Sequence, residues 1–125
     1  MTQYIAIYLR LSKEDKDSTG LKDESNSIHS QRILVEEYIK THADFANKPV
    51  LEFVDDGLTG TNFDRPQFQK MLALIRAGEI NCVVVKDLSR FGRNYLEVGD
   101  YLEHVFPLLN IRFVSVNDGY DSGGA

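Results

Sequence analysis

Tyr4-Ile5-Ala6-Ile7-Tyr8-Leu9-Arg10-Leu11-Ser12 reads as a β-strand whose apolar run, Tyr4 to Leu9, stops on an arginine and a serine. Strand side chains alternate with period two, so Tyr8, Arg10 and Ser12 fall on the same side. An apolar strand has no packing reason to end on Arg-x-Ser. The pattern suggests a hydroxyl nucleophile with a cation beside it, and such a pair suits a phosphate.

Outward from this strand, three more apolar runs follow: Val50 to Val54, Ile80 to Val85 and Ile111 to Val116. They alternate with helical patterns, the signature of βαβ units and a mainly parallel sheet. Ile28, Leu34, Val35, Tyr38 and Ile39 share one face of a helix starting near Ser27 and ending before Asp44. A second helix starts at Asp64-Arg65-Pro66-Gln67, where Asp64 suits a cap, Pro66 the first turn and Gln67 a capping box. Its apolar stripe is Phe68, Met71, Leu72 and Ile75, with Gly78 as the stop. The third, from Asn94-Tyr95-Leu96-Glu97, buries Val98, Tyr101, Leu102 and Val105 until Pro107 ends it. The expected architecture is a three-layer α/β/α domain with a mainly parallel central sheet of four to five strands.

With 125 residues and 42% hydrophobic content, the chain can bury one core. Residues 1–120 read as one folded domain. The segment from Asp118 is too poor in apolar residues to order itself, and 121–125 reads as a flexible tail at a truncation point. Lys13 to Asn26 is polar and mixed in charge, and is expected to be a mobile loop directly after Ser12. The net charge of −5 argues against a free-standing nucleic-acid-binding domain with a basic surface. Cys82 is the sole cysteine, which excludes an intrachain disulfide and reads as a buried structural thiol. With no apolar run of membrane-spanning length and no signal peptide, the expected location is cytoplasmic, away from any membrane.

Right-handed crossovers deliver every parallel strand's carboxyl end to one edge of the sheet, where open α/β folds bind ligands. Strand one brings Arg10 and Ser12 to that edge, and strand two brings Asp55-Asp56-Gly57-Leu58-Thr59-Gly60, followed by Arg65. Strand three brings Lys86-Asp87-Leu88-Ser89-Arg90-Phe91-Gly92-Arg93-Asn94. If Ser89 to Asn94 forms one helical turn, Arg90 and Arg93 point the same way. Taken singly, each of these residues fits an ordinary turn, cap or solvated strand end. Together they aim four arginines and two hydroxyls at one point. The guanidinium fork donates two parallel charge-assisted hydrogen bonds to a phosphate, and fixed cations there stabilise the charge that develops during displacement at phosphorus. Ser12 is the candidate nucleophile with Arg10 as its nearest cation. His29, His42 and His104 fall on helix patterns or in a connection, away from a general-base position.

Tyr8-Leu9-Arg10-Leu11-Ser12, Gln31-Arg32, Asp56-Gly57-Leu58-Thr59-Gly60-Thr61, Arg65-Pro66 and Leu88-Ser89-Arg90-Phe91-Gly92-Arg93-Asn94 occur in an order that resembles the catalytic domain of serine site-specific recombinases, the resolvase/invertase family. The similarity is greatest to the large serine recombinases of conjugative transposons and related mobile elements, and it runs from about Tyr4 to about Asp121. The resemblance implies a resolvase-like fold in which Ser12 attacks a DNA phosphodiester, leaving a 5′-phosphoserine link and a free 3′-hydroxyl. It implies four subunits that cut two duplexes and rejoin them without ATP, metal or other cofactor. The partners would be DNA at the element's ends, and other subunits in a dimer and a synaptic tetramer.

By the same resemblance Arg10, Arg65, Arg90 and Arg93 would clamp the phosphate. Tyr8 and Gln31 would lie near the nucleophile, Asp56 would be the acidic site residue, and Thr59 would stand where small family members have Ser. Ser89 replaces the Asp that small resolvases carry, with Asp87 nearby. The family's oligomerisation helix and DNA-binding domains would follow residue 125, which accounts for the acidic balance. Two other classes remain: a receiver-like or other phosphate-binding α/β domain using Asp55, Asp56, Thr59 and Lys86, and a non-enzymatic interaction module whose arginines bind an acidic partner.

Overall fold

A computed structural model describes residues 3–11, 27–45, 48–56, 65–91 and 95–122. Within them, β1 (Tyr4–Leu11) is followed by α1 (Ile28–Thr41), a 3-10 turn (Ala43–Phe45), β2 (Val50–Asp56), α2 (Pro66–Arg76) and β3 (Ile80–Val85). Then come α3 (Leu88–Phe91), α4 (Tyr95–Asp100), a π-helical segment (Tyr101–Val105), α5 (Phe106–Leu109), β4 (Arg112–Ser115) and β5 (Tyr120–Asp121). One sheet of order β2-β1-β3-β4-β5 holds all the strands; its first four are parallel and β5 is antiparallel to β4.

The strand order dictates the layers. The step from β1 to β2 goes to one side of β1, whereas the steps from β2 to β3 and β3 to β4 go the other way. Right-handed crossovers then require α1 on one face and the later helices on the opposite face. The two cores have this distribution. Val35 of α1 packs with Ile5, Ile7, Leu9, Cys82, Val84 and Val114. Phe68, Met71, Leu72 and Ile75 of α2, with Val98 and Phe106, pack against Ala6, Tyr8, Val83, Val85 and Phe113. The three-layer architecture with five strands is as expected, and the period-two alternation of β1 decides which side chain meets which layer.

The helix signals hold unevenly. Ser27 caps α1, its hydroxyl accepting from the Ser30 amide at 3.1 Å. Asp64 lies outside the described residues, and with it the expected cap and its capping box to Gln67. The Asp55 carboxylate, at the end of β2, accepts from the Gln67 and Phe68 amides at 3.0 and 2.9 Å. A carboxylate held by the sheet thus satisfies two of the helix's orphan donors.

Pro107 does not end the third helical run, contrary to the sequence reading. The chain passes through the π-helical segment, where the Phe106 amide bonds to the Tyr101 carbonyl five residues back, and continues to Leu109. Pro107 follows the π-helical segment, and Asn110 at φ 58° supplies the left-handed stop. The expectation of an unordered tail is likewise corrected for Asp118 to Ser122. Tyr120 and Asp121 pair with β4, and the Arg112 guanidinium grips the Asp121 carboxylate at 2.7 and 3.0 Å. These polar contacts act with Tyr120, which packs on the core beside Phe113 at 6.2 Å between ring centroids. The expected loop at Lys13 to Asn26 lies outside the described residues. Among the described residues, no helix is long and apolar enough to cross a membrane.

Candidate active site

The register of β1 against β2 pairs Arg10 with Asp55 and Leu11 with Asp56, so both strands end together at the carboxyl edge. Asp55 lies two residues beyond Phe53 and is buried on the face that α2 covers. Tyr8, fully buried on the same face, donates its hydroxyl to Asp55 Oδ2 at 2.8 Å. Burial pushes the Tyr8 phenol above its ordinary pKa, against the lowering pull of Arg65, so Tyr8 serves as a neutral donor.

Arg65 is buried at the N-terminus of α2 and its donors are directed inward. Nε donates to the Tyr8 hydroxyl at 3.3 Å, Nη1 pairs with Glu97 Oε1 at 2.8 Å, and Nη2 donates to the Phe91 carbonyl. Its guanidinium carbon sits 3.7 Å from the Phe68 ring centroid, a cation–π contact. Burial works against the Arg65 charge, but the oxygens of Tyr8 and Glu97 outweigh it and the pKa is raised.

Arg10 and Arg90 form the other half of the site. Arg10 Nε donates to the Arg90 carbonyl at 3.2 Å, and Arg90 Nη1 donates to the Arg10 carbonyl at 2.9 Å. The buried Gln31 of α1 closes the backbone of Arg10 from the opposite layer. Its Oε1 accepts from the Arg10 amide at 3.3 Å and its Nε2 donates to the Arg10 carbonyl at 3.0 Å, as a neighbouring strand would. Asp87 Oδ1 accepts from the Arg90 amide at 3.2 Å and lies 3.6 Å from Arg90 Nε. Asp87 therefore serves as partner to the first arginine of the pair.

The single turn α3 organises these groups because its last carbonyls need donors. Arg10 takes the carbonyl of Arg90 and Arg65 takes that of Phe91, two successive residues. Phe91 anchors the turn: its ring is fully buried, with Phe68, Tyr101, Phe106 and Phe113 centroids 4.9 to 5.5 Å away. At the other end of α3, Asp118 accepts from the Leu88 amide at 2.8 Å and from the buried Ser115 hydroxyl at 2.6 Å.

Of the residues singled out from sequence, the structure gathers Tyr8, Arg10, Gln31, Arg65 and Arg90 at one edge. Ser12, Thr59 and Arg93 lie outside the described residues, as does the Ser89 side chain, and Asp56 is described in its backbone alone. The acidic group bonded to Tyr8 is Asp55, which the sequence reading named at this edge without a part in the serine site; the alternation from Phe53 was the available signal. Glu97 was read only as part of the start of the third helix and Phe91 as part of a motif, and both contact Arg65. His42 stacks on Tyr38 at 3.8 Å at the far end of α1, and His104 pairs with Asp100, so each has a local role. Among the described residues, no cluster of three His, Cys, Asp or Glu side chains is suited to hold a metal.

Residues 5–125 match the family model described as Resolvase, N terminal domain. A transposon Tn917 resolvase of Enterococcus faecalis is 34% identical over 65 residues, covering 52% of this chain and 34% of that protein, so the match spans about a third of the relative's length. The N-terminal catalytic domain of TP901-1 integrase superposes with a TM-score of 0.71 at 27% identity, covering 98% of this chain and 84% of that one. A resolvase family site-specific recombinase from Streptococcus pneumoniae gives 0.71 at 25% identity, covering 99% and 78%. A serine recombinase from Sulfolobus solfataricus gives 0.61 at 26%, covering 94% and 69%. The receiver-like and interaction-module readings are not favoured. The chain belongs to the resolvase N-terminal domain family and has the fold of a serine recombinase catalytic domain.

Proposed function

We propose that this chain is the DNA-cleaving and rejoining part of a site-specific recombinase in which Ser12 is the nucleophile. The observation that supports it is that Arg10 and Arg65 bind two successive carbonyls of α3 while Arg90, carried by α3, binds the Arg10 carbonyl, at the end of the strand that leads into Ser12. Ser12 Oγ gives up its proton and bonds to the phosphorus of a DNA phosphodiester, and the P–O3′ bond breaks, so that one proton is lost at the serine and one gained at the leaving oxygen. The 3′-oxygen leaves and takes up a proton, and the DNA 5′-phosphate stays on the serine. The phosphodiester energy is kept in the new ester, so attack by a 3′-hydroxyl reverses the step without ATP.

Arg10, Arg65, Arg90 and Arg93 stabilise the charge on the phosphate oxygens. Tyr8 and Gln31 position Arg65 and Arg10, and Asp55 fixes Tyr8. By the family resemblance, Asp56 is the acidic residue of the site and Thr59 supplies the hydroxyl that small family members take from Ser. The partners are DNA at the ends of a mobile element and other copies of the protein, as a dimer that assembles into a synaptic tetramer. The test is to incubate the natural full-length protein with a nicked suicide substrate carrying its element's end. A covalent protein–DNA adduct should form and be lost in Ser12→Ala. An adduct that persists in Ser12→Ala contradicts the proposal.

A further inference from the structure

Resting on the proposed Ser12 chemistry, we infer that Glu97 is an exchangeable counter-ion that occupies Arg65 until a DNA phosphate takes its place. Arg65 must reach a phosphate to act on it, yet its side chain is 9% exposed and three of its nitrogens are engaged. The three partners differ in how readily they yield. The Phe91 carbonyl belongs to a backbone pinned by a fully buried ring, and Tyr8 is fully buried and bonded to Asp55. Glu97 alone of the three is a part-exposed carboxylate, at 28%.

Replacing Glu97 by a phosphate oxygen at Arg65 Nη1 exchanges one anion for another. The charge of the buried guanidinium stays compensated throughout, and the Tyr8 and Phe91 contacts keep its plane fixed. Loss of the pair without a substitute would leave a buried cation unmatched, which is strongly unfavourable. Arg65 is thus held in place with its charge matched before DNA arrives, and the Glu97 side chain must turn away from Nη1 for a phosphate oxygen to take its position.

Two measurements test this in the natural full-length protein. In suicide-substrate assays at subsaturating DNA, Glu97→Gln should keep a hydrogen-bond acceptor for Arg65 while removing the competing charge. Adduct formation should then speed up about two- to five-fold, the worth of a part-exposed ion pair. An adduct rate that falls in Glu97→Gln, with an unchanged melting temperature, would show that Glu97 positions Arg65 and would overturn the exchange. The second measurement needs no variant: a dinucleotide phosphodiester is titrated while the Arg65 Nε–H and Glu97 carboxyl signals are followed by NMR. Both should shift together, with the Glu97 signal moving to its solvent-exposed position. An Arg65 shift with Glu97 unmoved, or no shift in either, overturns the inference even if adducts form. Absence of any Ser12-dependent adduct would instead count against the proposed function, and the titration would still decide the fate of Glu97.

Discussion

Arg10 and Arg90 each donate to the other's backbone carbonyl, at 3.2 and 2.9 Å. This reciprocal pair ties the end of β1 to α3, two segments 80 residues apart in sequence. Each guanidinium thereby meets the negative end of a peptide dipole. Asp87 meets Arg90 from within its own turn.

Gln31 is the outer support of this pair. Replacing it with leucine leaves the Arg10 amide without its acceptor, while Arg90 still serves the Arg10 carbonyl. The expected loss is about 1–3 kcal/mol, the desolvation cost of a buried unsatisfied group, read from urea denaturation followed by circular dichroism. An unchanged midpoint would mean that the amide does not serve as the missing strand partner.

Tyr8→Phe and Asp55→Asn probe the second support. Each should destabilise the fold by about 1–3 kcal/mol, because the hydrogen bond runs to a carboxylate that also holds two α2 amides. The double variant should lose less than the sum of the two, with a coupling above about 0.5 kcal/mol. Additive losses would show that the two side chains act independently.

Much of this arrangement was legible from the chain. The alternation of Tyr8 and Arg10, the apolar stripe of α2 and the order of the strands together place the arginines at one edge. The α2 cap was not legible, because Asp55 reaches the helix across a fold contact and not through neighbouring sequence. β5 escaped because an Arg112–Asp121 ion pair and the single ring of Tyr120 order it, with no apolar pattern to read. Pro107 misled because a π-helical segment, which no residue type announces, shifts the hydrogen bonding ahead of it.

Phe91 should prove to be a packing anchor with a functional consequence. Phe91→Ala is expected to cost about 3–5 kcal/mol, and Phe91→Leu less than about 1.5 kcal/mol. In Phe91→Leu the loss of adduct formation should exceed what its unfolded fraction explains, because α3 carries Arg90 and two arginine-binding carbonyls. Wild-type activity in a stable Phe91→Leu would show that α3 is held by other contacts.

Stability should fall in alkali. Burial pushes the Cys82 thiol up to about 12 and raises the Tyr8 phenol, whereas an unfolded cysteine titrates near about 8.5. Both folded forms are neutral, so their contribution is complete below the unfolded pKa. It is lost as pH rises from about 8.5 toward the folded values, because the unfolded state then releases protons that the fold retains. Urea midpoints measured from pH 7 to 11 should decline, and Cys82→Ala should flatten the part of the decline that starts near pH 9. An identical slope in the variant would remove the thiol from the account.

The measurement that bears most directly on the central claim is the identity and polarity of the protein–DNA bond. Adduct trapped on a suicide substrate would be digested with nuclease and protease and the linked peptide sequenced by mass spectrometry. The account predicts a nucleotide joined through its 5′-phosphate to Ser12. A link to any other residue, or one through a 3′-phosphate, would contradict it.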